Sequence, residues 1–251
     1  MTGERSVTRR QQTETAVAAL GLPSAKDLAL VREAIGAGER LSIDLLERAK
    51  MPTGGGQSWD VVNSDPVRAL EGVLVLRHPV RVMWKARFAD GGGGNPPDCF
   101  SMDNMLGTGD NGQPGTVHEC ATCPLAEWGT AVDERGEQAR GKACRQVTRV
   151  FLLQPGDVLP MLIPLPPSSY REALTYVVQQ AGKARPYYGV ITRMTLKQDK
   201  SGGGITYSKA NFEAVRVLTE EELATVQQYR DGILPYLNVL SVTDVESREA
   251  E

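Results

Sequence analysis

Four cysteines are the side chains whose spacing most clearly suggests chemistry. Cys99, Cys120, Cys123 and Cys144 follow the pattern C-x20-C-x2-C-x20-C. Two thiolates separated by two residues can grip one tetrahedral metal from a tight turn. Two distant cysteines can then close the site by drawing the arms of the loop together. Residues 99–144 are glycine-rich, polar and poor in core-forming side chains, so their order must come from something other than apolar burial. The spacing therefore predicts one structural Zn2+ held by the four thiolates, with no coordination position left for catalysis. Three other readings of the thiols stay open: two disulfides, a thioredoxin-type pair at CATC, and four unrelated thiols. His118, two residues before Cys120, is an alternative ligand.

The second kind of chemistry is cationic. The chain has 251 residues and a net charge of −3, which by itself argues against a general polyanion binder. The charge is unevenly placed. Residues 139–216 carry 12 Lys and Arg against 4 Asp and Glu, whereas residues 217–251 carry 2 against 8. Parity along the expected strands places Arg81, Lys85 and Arg87 on one outer face, and Arg145, Arg149 and Phe151 on another. Tyr187, Arg193 and Lys197 share a face in the next strand, and Tyr207 and Lys209 in the last. Cations for phosphates and flat rings for unpaired bases are what a single-strand binder needs. A solvated sheet face is the plainer reading of each strand taken alone. Trp84 shares parity with Val80 and Val82 and is expected in the core. Trp128 is expected to pack over the metal loops.

The elements that must position these groups are short and mainly β. Residues 72–88 alternate with period two. Residues 147–153 and 159–165 read as strands, and 188–196 with 205–218 as a hairpin. Residues 168–180 read as an amphipathic helix opened by a serine cap. Residues 219–229 read as a helix with a Thr219 cap and an acidic first turn. Before them, Ser24 and Ser42 could each cap a helix within residues 24–50. The division is a helical N-terminal extension (1–52), a main domain (53–240) with the cysteine insert (99–144), and an acidic tail (241–251).

Several segments together, PDCFSMDN, CPLAEWG, GKAC and the VFLL strand followed by LPMLIPLPPSSY, carry a resemblance. In their order, residues 55–230 resemble single-stranded-DNA-binding proteins of bacteriophages and mobile elements. The resemblance implies an oligonucleotide-binding (OB) antiparallel barrel with a zinc subdomain. It also implies a non-catalytic role on single-stranded DNA in replication or recombination. The fold expected is thus mainly β (α+β), a barrel with helical additions at both ends. The acidic tail is a candidate contact for replication or recombination proteins. No apolar run is long enough for a membrane helix and no export signal is evident, so the expected location is cytoplasmic, the host cytoplasm if phage-encoded. Two alternatives are a zinc-stabilised interaction module without nucleic acid, and a metal-dependent nuclease using Asp98, Asp103 and Asp110.

Overall fold

The computed structural model describes residues 21–36, 38–62, 64–85, 97–109, 116–132 and 136–238. Residues 1–20, Arg87, Asp110 and the acidic tail lie outside them.

The centre of the fold is a long strand, β4 (Ala69–Met83). Its residues 73–82 pair antiparallel with β8 (Arg145–Leu153). On its other side residues 69–73 of β4 pair with β10 (Val190–Lys200), and its last three residues pair with β5 (Cys99–Ser101). β10 continues into a hairpin with β11 (Thr206–Val217), and β8 pairs with β9 (Met161–Leu165). From β5 the sheet runs on through β6 (Leu106–Gly109) to β7 (Thr116–Glu119). Eight strands thus form one open sheet. Two two-stranded sheets accompany it: β1 (Leu41–Ser42) with β12 (Leu237–Asn238), and β2 (Ala49–Lys50) with β3 (Asp60–Val61).

This corrects the barrel expectation. The fold is mixed α+β, with open sheets and three α-helices among the described residues, not a closed OB barrel. The physical cause lies along β11. Its outer side is covered by α2 (Pro167–Ala181), so it does not close onto β9. The buried Ser169 hydroxyl accepts the Ala210 backbone N–H at 2.9 Å. Tyr176 stacks on Phe212 with ring centroids 5.5 Å apart and shares a 2.6 Å hydrogen bond with Thr192. Ser208 donates to the Pro52 and Gly56 carbonyls further along the same strand. Covering an edge with a helix and a loop satisfies its polar groups without another strand.

Both faces of the sheet around β4 and β8 are buried. On one face Val73, Val75, Phe151, Leu153 and Leu162 pack with α1 (Ala25–Ile35) and α3 (Glu220–Ile233) through Leu28, Val226, Tyr229 and Ile233. On the other, Leu74, Val150, Leu152, Ile163 and Met194 pack with Trp59, Ala173 and Tyr176. A strand covered on both sides reads as a continuous apolar run, which is what FLL and its neighbours in β8 are.

Local signals held where they were self-contained. Ser24 and Asp27 form a reciprocal capping box on α1, and Thr219 and Glu222 form another on α3. The expected Ser cap of α2 is absent; Pro166 holds that position and Pro167 opens the helix, as proline can at a first turn. The second N-terminal helix shrinks to a 3-10 turn (Ile43–Leu45). Beyond it the chain straightens, with Glu47 accepting the Leu162 N–H at 2.8 Å and Arg48 bridging Leu162. Burial of Ile43, Leu46 and Ala49 beside β9 overrides helix propensity there. No helix among the described residues is long and apolar enough to cross a membrane.

Candidate functional site

The cysteine arm hangs on the far end of β4. Register places Met83 opposite Cys99, Cys99 opposite Gly109, and Gly107 opposite His118. Cys120 follows β7 directly and donates its backbone N–H to Met105 O at 2.8 Å. Cys123 starts a short 3-10 turn (Pro124–Ala126). Cys144 donates its N–H to Leu125 O at 2.8 Å just before β8 begins. Thr130 ties the returning loop, donating to Leu125 O and Glu127 O and accepting the Ala143 N–H.

Two glycines are required by this geometry. At Gly107 a Cβ would lie 2.6 Å from His118 Nε2, so only glycine lets the imidazole lie flat on β6. At Gly109 the φ of +120° is open to glycine, and a Cβ would lie 3.0 Å from Cys99 Cα.

The four cysteines line one cavity of about 10 Å³, together with Arg81, His118, Met83, Phe100 and Leu125. That is room for about one water. No disulfide joins them. Cys99 Sγ lies 3.6 Å from His118 Nε2. Burial pushes the Cys144 thiol up to about 11, against the pull of the Arg81 guanidinium, while Cys120 and Cys123 add to the rise.

The zinc expectation is not met. Among the described residues no group of three or more His, Cys, Asp or Glu side chains could hold a metal ion. The charge of the cavity lining also opposes a dication. Arg81 brings a positive charge into the same lining.

The single-stranded-DNA reading is also overturned, since neither the barrel nor the metal group that it rested on is present among the described residues. The residues assigned to that surface are spread over different surroundings. Phe151 is fully buried in the core and Arg149 is 1% exposed, because the second face of β8 is covered as well. Arg193 pairs with Glu71 at 2.6 Å and Glu213 at 3.7 Å. Lys209 pairs with Glu172 at 2.7 Å and Asp199 at 3.3 Å. Tyr207 sits opposite Asp199, and their interaction raises the phenol after burial has done so. Arg81 donates to Asn104 at 2.7 Å. Tyr187 packs against the core and meets Tyr188 edge to face. Lys85, Arg145 and Lys197 are exposed.

The other candidates are placed as follows. Asp103 accepts from Ser101 and from the Met105 and Leu106 N–H groups, and those backbone bonds hold its carboxyl below the usual range. Asp98 accepts the Lys85 N–H at 2.7 Å. Both carboxylates therefore stabilise turns. Trp84 is buried with Val80 and Val82, as parity required. Trp128 does not pack over the thiols; it is 77% exposed, with Lys142 Nζ 5.3 Å from its ring centre. Sequence reasoning missed the Arg81 contribution to the thiol cavity and the pairing of His118 with Cys99. The His118–Cys120 spacing was the available signal for the second.

Comparison with family models, with curated proteins and with solved structures finds no match.

Proposed function

We propose that the chain is a non-catalytic interaction module. Its α+β body holds out the cysteine arm, and the arm's apolar surface joins a second copy of the same chain. The observation that carries this reading is the exposure of large apolar side chains on the arm: Trp128 at 77%, Met105 at 69% and Val117 at 64%. An exposed tryptophan is the side chain most enriched in interface hot spots. The cavities support the same reading. The thiol cavity of about 10 Å³ and the cleft of about 220 Å³ between α1 and α3 are both smaller than the ~300–1,000 Å³ of small-molecule sites.

A second copy is the occupant because β7 ends the sheet and pairs with β6 alone among the named strands. Its residues, Thr116 to Glu119, include neither the lysine nor the proline that guards many edges. Two β7 strands related by a twofold axis through Val117 place valine against valine, with Leu106 extending the strip and no like charges opposed. Four thiols without a disulfide favour a reducing compartment, which supports a cytoplasmic setting.

Such a small patch gives a weak dimer, with Kd about 10–100 μM, as expected below ~1,200 Å² of buried area. Sedimentation across that range should show self-association in the parent chain and loss of it in Val117→Lys, with unchanged circular dichroism. A parent chain that stays monomeric throughout, or a Val117→Lys variant that associates as the parent does, refutes the reading.

A further inference from the structure

The thiol cavity has a use that self-association does not require. We propose that Cys99 is a peroxide-reactive thiol whose oxidation ends in an internal disulfide with another cysteine of the same cavity.

Three observations support it. First, Cys99 Sγ lies 3.6 Å from His118 Nε2, while the imidazole's other nitrogen is buried with no hydrogen-bond partner among the described residues. Thiol and ring therefore face each other in a site where no other polar contact commits the ring. Second, Arg81 lines the same cavity. Its charge pulls the Cys144 thiol down against burial, and a guanidinium and an imidazole beside a thiol both favour the thiolate. Third, the partner thiols reach the cavity from separate places: Cys120 and Cys123 from the turn after β7, and Cys144 from the entry to β8. The four thiols thus reach one space with room for about one water.

The chemistry closes with hydrogen peroxide as the oxidant. Cys99 passes its proton to His118 and its sulfur attacks one peroxide oxygen. The O–O bond breaks, an S–O bond forms, and the departing hydroxide takes the proton from His118 to leave as water. Cys99 is then a sulfenic acid. A neighbouring thiol, losing its own proton, attacks the Cys99 sulfur. The S–S bond forms, the S–O bond breaks, and the leaving oxygen takes up that proton as a second water. Two thiols are oxidised by two electrons and one peroxide is reduced. A cavity this small admits an oxidant close to water in size and excludes a tripeptide disulfide.

The test uses the reduced full chain. It is treated with hydrogen peroxide, then alkylated under denaturing conditions and mapped by mass. The expected product is one disulfide per chain that includes Cys99, forming at least tenfold slower with oxidised glutathione at equal concentration. His118→Gln should slow the peroxide reaction at least tenfold with unchanged circular dichroism. Dimedone present during oxidation of the unmutated chain should label Cys99 ahead of the other three, which keeps the test independent of any variant's folding. Four fully alkylatable cysteines after peroxide, dimedone spread evenly over all four, or a parent-like rate in His118→Gln would each overturn the proposal. None of these results bears on whether the chain self-associates.

Discussion

Ser169→Ala is the substitution that tests the open sheet most directly. The Ser169 hydroxyl is fully buried and accepts the Ala210 N–H at 2.9 Å on the outer side of β11. Its own proton points to Met51 Sδ at 3.8 Å, a weak contact that contributes little. Removing the oxygen leaves a buried backbone donor without its acceptor, a loss of about 1–3 kcal/mol. Helix packing by Ala173 and Tyr176 stays in place, so about 2 kcal/mol is expected. For a chain of this length that lowers Tm by about 4–8 °C. The sharper assay is hydrogen exchange. A global loss of about 2 kcal/mol speeds every amide that exchanges by full unfolding about 30-fold, since 1.4 kcal/mol corresponds to a factor of ten, and the Ala210 amide, left without its acceptor, should lose more protection than that. Amides of β11 that face β10 should change only by the global loss of stability. In a closed barrel the Ala210 N–H would be held by a neighbouring strand and would ignore the serine. Unchanged protection at Ala210 would therefore refute the argument that α2, and not another strand, covers this edge.

Two further outcomes follow from the same structure. Burial holds the His78 imidazole below its ordinary value; the Met102 carbonyl bond opposes the shift and the Arg149 charge adds to it. The unfolded chain thus binds this proton first, so the contribution of His78 is complete above about pH 6.5 and is lost as pH falls towards the folded value. Urea titrations from pH 7.5 to 5 should show that decline, and His78→Gln should flatten it; an equal slope in both proteins would count against the assignment. The arm rests on a small core of Val80, Val82 and Trp84 with Phe100, Met102 and Val147, whereas both faces of the body are packed. Amides of β5, β6 and β7 should accordingly exchange at least tenfold faster than those of β8 at residues 150–153, and equal protection would show that arm and body open as one unit.

What was legible in the sequence was local. The capping boxes at Ser24 and Thr219 need only residues three apart, and the structure has both. The strands and the β10–β11 hairpin were legible from alternation and from the glycine-rich turn. Residues 43–50 were misread as helix because the competing partner, Leu162, lies more than a hundred positions away. The cationic face failed for a related reason. Parity tells which residues share a side of a strand, and it cannot tell whether the other side meets water or a helix. On β8 the side carrying Arg149 and Phe151 is covered too, so a periodic pattern was taken for an exposed one. The cysteine spacing showed that distant thiols could meet. It carried no information about Arg81, which sits on a different element and reaches the cavity only through the pairing of β4 with β5.

The division of β4 explains why the arm and the body share one strand without sharing one core. Residues 69–73 of β4 pair with β10 and residues 73–82 with β8, and Leu70, Val73, Leu74 and Val75 are buried in the two cores of the body. From Arg81 onward β5 has replaced β10 as the neighbour, and among the described residues no α-helix follows it in the chain before α2. The sheet continues while the layers that bury it stop. Hydrogen bonds alone give each pair about 0.5–1.5 kcal/mol net, too little to fix a set of short strands against the entropy of ordering them. The arm therefore needs a second source of cohesion, and the observed candidates are the small Val80–Val82–Trp84 cluster and the thiol cavity beside it. A bond formed inside that cavity would act where the cohesion is weakest, and its effect would fall on β5 to β7 well before it reached the body.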